Sequence, residues 1–460
     1  MTDLRPRADR PGRARPIARH GRLRRRGPGG TIAKIVASVV AVSIVSAAGI
    51  GAVAVGDLVG SIKKGIGLIG ASGGTEIVGV DAMKGAFNVL LAGSDSGGGD
   101  PAYGPRGENL NDVTMMMHVS ADHQHVTVVS FPRDMQIAIP ACPKEDGSGY
   151  YSAMSQQRIN VTLSYGGLAC TVLTVEQLTG LNIGYAAEIQ MDGVIRMADA
   201  VGGVPVCVGK PIYDPNSPVF SAEHPAGVPL SLPAGLVTLT GGEALAFLRT
   251  RHGVGDGSDL GRISNQQVYL SSLVRTVTSN GTIGNPLKLY SLAKAALSNV
   301  SFSQSLASAS ALVSVALAVK DVKPSSFVFV QFPTEYGAAN GLPSRPLFPN
   351  PADAAILVNA LQKDLPVTVT GGTGANGVGS SVTASAYPTQ TAAPTGKPTG
   401  TTASSSSSSA SSATSSTATP ASSGVPSSSA TGTGAPTIDL GTGTYGQTAA
   451  EETCSTAFHY

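Results

Sequence analysis

Twenty-one consecutive residues without a charge, IVASVVAVSIVSAAGIGAVAV from Ile35 to Val55, constrain this chain more than any other feature. As a helix rising 1.5 Å per residue, the run spans roughly 30 Å, the depth of a bilayer's hydrocarbon core. Ten arginines precede it (Arg5, Arg7, Arg10, Arg13, Arg15, Arg19, Arg22, Arg24, Arg25 and Arg26), with almost no apolar side chains between them. Such a segment cannot bury enough surface to fold alone. A cleavable signal peptide is the competing reading, since Ala47-Ala48-Gly49 is small enough to be cut. The run exceeds the roughly 7–15 apolar residues of a signal peptide, which favours an uncleaved anchor. Arginines stay on the cytoplasmic side. The expectation is therefore a basic cytoplasmic tail at 1–34, a transmembrane helix at 35–59, a linker at 60–80 and an extracytoplasmic remainder, giving a single-pass protein of the cell membrane. The tail reads as an orientation signal that touches anionic lipid, not as a nucleic-acid arm.

The other end is low in complexity. Residues 370–460 are dominated by Ser, Thr, Ala, Gly and Pro, including TTASSSSSSASSATSSTATPASS. Too few apolar side chains are present to offset chain entropy, so the stretch is expected to be disordered, a stalk or an O-glycosylated tract. That leaves 81–369 for one sizeable core. The formal charge of +2 misleads here, because the basic excess belongs to the tail. None of the four cysteines has the C-x-x-C spacing of a zinc site. Outside the cytoplasm a disulfide is permitted; Cys142 and Cys170 flank one loop-and-helix segment and form the candidate pair. Cys207, within VPVCVG, reads as a buried core thiol.

Within 81–369, AFNVLLAG is a continuous apolar run ending in a Ser/Asp/Gly loop, the pattern of a buried strand. VTMMMHV and HVTVVSF follow as a hairpin. If Val119 pairs with Val126, Asp112 comes near Arg133 at the open end. Further along, helices are expected at Ala169–Leu178, Met191–Val201 and Asp353–Leu361, and strands at Ala187–Gln190 and Val204–Val208. Thr240 and Glu243 form a capping box that opens the helix of TGGEALAFLRTR. Arg262 and Gln266 are four apart and share a helix face. Strands alternating with helices around one hairpin predict an α/β fold with a mixed central sheet flanked by helices.

The chain is only 13% charged, yet FLRTRHGVGDGSDLGRISNQQ concentrates Arg249, Arg251 and Arg262 around glycines and two aspartates. Asp95, Asp112, Arg133 and Asp134 fall at strand–loop junctions, where α/β sheets bind ligands. Arginine's planar fork suits phosphate oxygens, and carboxylates beside it suit Mg²⁺ bridged to phosphate. No Walker-type loop follows Asp95, so the pattern suggests a diphosphate held by side chains. Each Arg–Asp pair taken alone reads better as a surface ion pair; it is their clustering at helix and strand ends near glycine that points to a site. The histidines of the hairpin have no acidic partner at ligand spacing and read as structural or solvated.

NVLLAGSDS, NDVTMMM, VVSFPRDM, RINVTLSYGG, VGGVPV and LTGGEALAFLRTRHGVGDGSDLGRISNQQ, in this order and spacing, resemble the LytR-CpsA-Psr family over roughly Phe87–Val277. The resemblance implies an α-β-α domain and a phosphotransferase. The enzyme would move a glycopolymer from a polyprenyl-pyrophosphate carrier onto peptidoglycan through a phosphodiester. It implies Asp95 and Asp112 as ligands of Mg²⁺ (or Mn²⁺). Arg133, Arg158, Asn160, Arg249, Arg251, Arg262 and Gln266 would bind pyrophosphate, with Asp95, Arg133, Arg249 and Arg251 the catalytic set. One departure stands out: the family commonly has Arg-Ser-Asp-Thr-Met where this chain has Asn111-Asp112-Val113-Thr114-Met115, so an arginine is absent and the aspartate is displaced by one. Asp95 or Asp134 is the expected proton acceptor, and an apolar slot between sheet and helices would take the prenyl tail. A polyprenyl-pyrophosphate hydrolase and a non-catalytic, stalked surface-binding protein are the alternatives. The Ala/Gly/Pro/Arg-rich composition fits an actinobacterial source.

Overall fold

The computed structural model describes residues 65–68, 83–96, 109–278, 296–338, 345–373, 378–379 and 436–458. All lie in the compact unit that begins at Leu58. The expected tail at 1–34 and membrane span at 35–59 lie outside the described residues. Among those described, no helix is long and apolar enough to cross a membrane.

A seven-stranded mixed sheet organises the fold. Its strands are β1 (Phe87–Ser94), β2 (Asn111–Val119), β3 (Val126–Phe131), β6 (Tyr185–Ile189), β11 (Val300–Phe302), β12 (Phe327–Gln331) and β18 (Gly446–Thr448), in spatial order β11-β6-β1-β2-β3-β12-β18. β1–β2–β3 is an antiparallel meander, while β6 joins β1 and β12 joins β3 in parallel. Val119 pairs with Val126, the register that sets Asp112 beside Arg133. A hairpin of β4 (Gln136–Ile139) and β5 (Met154–Arg158) extends from the end of β3. A second hairpin joins β8 (Ile212–Val219) to β9 (Val228–Leu232). A second sheet runs β10 (Gly235–Leu239), β7 (Val204–Val208), β19 (Cys454–Ser455), β16 (Val378–Gly379). Two short pairs join β13 (Thr334–Tyr336) to β14 (Leu347–Pro349) and β15 (Val367–Thr368) to β17 (Ile438–Asp439).

Helices cover both faces. Leu90, Ala92, Met116 and Val129 meet Leu168, Val172 and Val175 of α1 (Thr162–Thr179) and Leu357 and Leu361 of α6 (Pro351–Gln362). On the other face, Met115, Val119 and Val128 meet Ala311 and Ala318 of α5 (Ala309–Val319), with Leu270 and Val274 of α4 (Asp259–Thr278) and Met197 of α2 (Met191–Ala200). The remaining helix, α3 (Gly241–Arg249), buries Ala244, Leu245 and Phe247. These residues sit on opposite pleats of the same strands, which is why the strands read as continuous apolar runs.

Several expectations change. α1 starts at Thr162, seven residues earlier than expected, because the chain stays helical on both sides of a kink at Gly166-Gly167. Gly167 has φ +64°, and a Cβ there would lie 2.2 Å from a Glu145 carboxylate oxygen, so the pair of glycines marks a kink, not a loop. The helix of TGGEALAFLRTR does begin after Thr240, but the threonine side chain makes no capping bond; the Glu243 and Ala244 amides donate to its carbonyl instead.

The expected disordered tail is in part folded; its residues 374–377, 380–435 and 459–460 lie outside the described residues. Residues 436–458 return to the fold: β18 pairs with β12, and β19 pairs with β7. Leu440, Thr444, Ala449, Cys454 and Ser455 are buried. Composition misses this because the segment is held by backbone pairing and small polar contacts in place of apolar mass. Gln447 Nε2 donates to Ser271 Oγ at 2.9 Å, and a Cβ on Gly446 would collide with the Phe329 carbonyl. Cys207 is likewise no free thiol; it is bonded to Cys454, while Cys142 is bonded to Cys170. Within the expected linker, Ile66 exchanges backbone bonds with Phe302 and Gln304, so these residues too belong to the folded unit.

Candidate functional site

The site forms where β1, β2 and β3 end against α3 and α4. β1 bulges at Gly93/Ser94, next to a point where a Cβ on Gly93 would touch Val113 at 2.8 Å. Beyond the bulge, Asp95 and Leu110 lock the β1 and β2 termini together: the Asp95 amide donates to the Leu110 carbonyl (3.0 Å), and the Leu110 amide donates to Asp95 Oδ1 (2.9 Å). Asp112 follows on β2.

After β3, Pro132-Arg133-Asp134 turns away from the sheet, closed by the Met135 amide on the Pro132 carbonyl. This turn carries Arg133 onto Asp112, with Asp134 3.7 Å from its Nε. Arg158, at the end of β5, reaches Asp134 at 3.5 Å. Asn160 donates its amide to the Arg133 carbonyl. From the opposite wall, Arg262 Nη2 donates to the Asp112 carbonyl at 2.8 Å, and its Nη1 stands 3.7 Å from the Asp112 carboxylate. Positive and negative groups therefore alternate, and the Arg133 and Arg262 guanidiniums are each held by two carboxylates: Asp112 and Asp134 for the first, Asp112 and Asp259 for the second. Burial disfavours the charge on Arg133, but Asp112, Asp134 and Asp259 outweigh it and raise its pKa.

Asp259 is the site residue that pattern reading missed. It is 6% exposed, bonds Arg262 from three residues away on α4, and accepts the Arg133 amide at 3.0 Å. Its only sequence signal is the i,i+3 spacing to Arg262, which surface ion pairs share. Gln266 and Asn265 anchor α4 to α3 by donating to the Leu248 and Phe247 carbonyls at 3.0 and 2.7 Å.

Asp95, Asp112, Arg249 and Gln266 line one end of a cleft of about 240 Å³. Its other walls are apolar: Leu91 and Met115 from the sheet, Val194 and Met197 from α2, Leu270 and Leu273 from α4. A smaller recess beside it is edged by Asp112, Arg133, Asp259, Arg262 and Gln266. The fold thus brings Asp95, Asp112, Arg133, Arg249, Arg262 and Gln266 to one place, with Arg158 and Asn160 attached through the 132–134 turn. Arg251 is not among the residues lining either space, and Asp134 stands between two arginines away from the cleft lining. The Nε atoms of Arg133, Arg251 and Arg262 and Oδ1 of Asn160 are buried with no hydrogen-bond partner among the described residues. Buried donors without acceptors cost free energy, and a bound anion would satisfy the arginine Nε–H groups; Asn160 Oδ1, an acceptor, needs a donor instead.

The donor set also bears on a metal. Among the described residues no cluster of three or more His, Cys, Asp or Glu could hold an ion unaided. Asp95 and Asp112 at one cleft end, the latter shared with two arginines, fit an ion that takes one or two carboxylates and completes its shell with phosphate oxygens and water, as Mg²⁺ does. His118 is buried far along β2, bonded to Asn88 and Asp364, and belongs to the core.

The LytR_cpsA_psr family model matches residues 71–345. The cell wall biosynthesis protein LcpA of Corynebacterium glutamicum is 32% identical over 298 residues, covering 59% of this chain and 55% of that protein. The polyisoprenyl-teichoic acid–peptidoglycan teichoic acid transferase TagU of Enterococcus faecalis is 28% identical over 202 residues, 44% of this chain and 57% of that one. The chain spans about half the length of these curated relatives. Among solved structures, a LytR-Csp2A-Psr enzyme from Actinomyces oris aligns at a TM-score of 0.44 and 20% identity over 63% of this chain and 96% of that one.

Proposed function

The chain belongs to the LytR_cpsA_psr family, and on that premise we propose that it is a phosphotransferase. It transfers a glycopolymer from a polyprenyl-pyrophosphate carrier to peptidoglycan through a phosphodiester bond. One observation carries the reading: a single cleft has an apolar body and an end lined by Asp95, Asp112, Arg249 and Gln266. A ligand matched to that shape is a long hydrocarbon with a diphosphate head. The names of two relatives, a cell wall biosynthesis protein and a polyisoprenyl-teichoic acid transferase, point to the same class.

In this mechanism an acceptor hydroxyl attacks the sugar-bearing phosphorus. A new P–O bond forms, the bridging P–O bond breaks, and prenyl phosphate is the leaving group. The hydroxyl proton passes to the Asp95 carboxylate, the one of the two expected acceptors that lines the cleft. Phosphoryl transfer needs positioning and neutralisation of charge more than covalent help. Arg249 and Gln266 would hold the phosphates at the cleft mouth; Arg133 and Arg262, fixed by Asp112 and Asp259, would supply the field around them. Arg158 would extend the basic surface beyond the 132–134 turn, and the buried Asn160 holds that turn through the Arg133 carbonyl. Arg251, two residues beyond Arg249 and outside the cleft lining, would add to the positive field around the phosphates. Mg²⁺, with Asp95 as its principal protein ligand, would neutralise charge on the diphosphate. The domain would work outside the cell membrane, tethered by the span at 35–59. Two disulfides suit an oxidising compartment.

The test is turnover of a prenyl-pyrophosphate-linked glycan by purified protein, with and without peptidoglycan fragments and Mg²⁺. Arg249→Ala is expected to lower kcat/KM by about 10²–10³, the cost of losing one charge-stabilising donor. Release of prenyl phosphate that needs no glycan acceptor would instead identify a hydrolase. Lipid binding unchanged by Arg249→Ala, with no turnover in either form, would leave a surface-binding protein.

A further inference from the structure

The loop between α3 and α4, Thr250–Ser258, carries Arg251 and separates Arg249 from Arg262. Its three glycines, taken alone, would leave the segment free to move. The structure gives them another task. Val254 forms an antiparallel bridge with Ala457, from the far end of the chain. The Gly255 amide donates to the Thr456 carbonyl at 3.0 Å, and the Phe458 amide donates to the Gly253 carbonyl at 3.1 Å. At Gly257, where φ is +76°, a Cβ would stand 3.0 Å from the Phe458 ring. Beneath the loop, the Gly253 amide donates to Thr250 Oγ1, whose own proton goes to Asp214. Gly253 is pressed from that side, with Asp214 and Ile212 each 3.0 Å from where a Cβ would be. The loop is clamped from above and below.

The clamp is itself anchored. Cys454 is bonded to Cys207, Ser455 pairs with Val208, and the Gly209 amide donates to the Ser455 carbonyl at 2.8 Å. Ser455 Oγ donates to Asn265, the residue that ties α4 to the Phe247 carbonyl of α3. A segment about two hundred positions downstream therefore touches the arginine loop and, through Asn265, the join between its two flanking helices.

We propose that Thr456–Phe458 are positioning residues for the arginine loop, setting Arg249 and Arg251 for the diphosphate. This rests on the pyrophosphate reading for its purpose, though not for its geometry. Side chains that neutralise a diphosphate must be held within about an ångström, and misplacement on that scale can cost about 10²-fold in rate. Thr456–Phe458 do not themselves line the cleft, and their backbone bonds to the loop are what couple them to the arginines.

Two full-length variants and one shortened chain test this. Phe458→Ala removes the ring over Gly257, and Phe458→Leu keeps an apolar cover. A chain ended after Ser455 loses the pairing with the loop but keeps Cys454 and its bridge. Trypsin cleavage after Arg249 and Arg251 is followed by mass spectrometry under native conditions, against cleavage after the exposed Arg196 of α2 as an internal reference. Binding of geranylgeranyl pyrophosphate is measured in parallel.

The shortened chain is expected to be cut in the loop about tenfold faster, with Arg196 unchanged, as local opening of one segment requires. Phe458→Ala should show a smaller rise that Phe458→Leu reverses, and lipid affinity should fall in the same order. Equal loop cleavage in all forms would overturn the proposal, as would a rise shared equally by Arg196, which reports general loosening. If loop cleavage responds while wild type fails to bind the pyrophosphate, the clamp stands and the functional reading above falls.

Discussion

The two disulfides of this protein do different work, and the contrast explains much of its design. Cys142–Cys170 closes 28 residues; it ties the β4–β5 hairpin to α1 beside the Gly166-Gly167 kink. Cys207–Cys454 closes 247 residues and joins the returning segment to β7, one strand from the arginine loop. The near bridge reinforces elements that already pack through Ile139, Met154 and Tyr165. The far bridge adds a covalent tie to a segment that has little apolar mass of its own and is otherwise held by backbone pairing and small polar contacts. A small polar segment can belong to a core if its entropy is removed by other means.

The comparison can be broken most sharply at the far bridge. Replacing Cys207 and Cys454 together by serine is expected to lower unfolding stability by about 5 kcal/mol, since loop-closure entropy grows with the logarithm of loop length. Denaturant midpoints measured under non-reducing conditions check the figure. The same exchange at Cys142 and Cys170 is expected to cost less, about 3–4 kcal/mol, and to leave trypsin cleavage in the arginine loop unchanged. Equal losses at the two sites would show that native packing, not loop length, sets their worth. Third in size, Thr250→Val removes a buried hydroxyl that donates to Asp214 and receives the Gly253 amide. About 1–3 kcal/mol should be lost there, with loop cleavage rising though both bridges are intact. An unaltered loop in that variant would mean that the clamp from the chain end suffices alone. The smallest effect is expected on the cleft. Met197→Ala, in its apolar wall, should lower affinity for geranylgeranyl pyrophosphate several-fold by removing apolar contact, and leave inorganic pyrophosphate binding unmoved.

The site was legible in unequal parts. Asp112 and Arg133 could be paired from hairpin register alone, because a two-residue period and one matched pair, Val119 with Val126, fix every partner along both strands. Arg262 and Gln266 were placed on one face by helical spacing. Asp259 was not singled out, since an aspartate three residues before an arginine is common on solvated helices and only burial reveals its role. Arg251 was grouped with Arg249 by proximity in sequence, yet the helix ends between them and only Arg249 lines the cleft.

What the sequence determined by itself is local and periodic: the apolar runs that become β1, β3 and β12, the hairpin register, the helix faces, and the clustering of arginines around glycines. These follow from side-chain period and backbone preference, which act over a few residues. Tertiary structure alone decided that residues 436–458 come back, that Cys207 meets Cys454, and that the glycine loop is clamped at Phe458. Those contacts join positions about two hundred residues apart through backbone amides, small side chains and one covalent bond, none of which leaves a periodic trace in the chain. Composition measures how much apolar surface a segment owns; whether another part of the fold will hold it is a matter of what it meets.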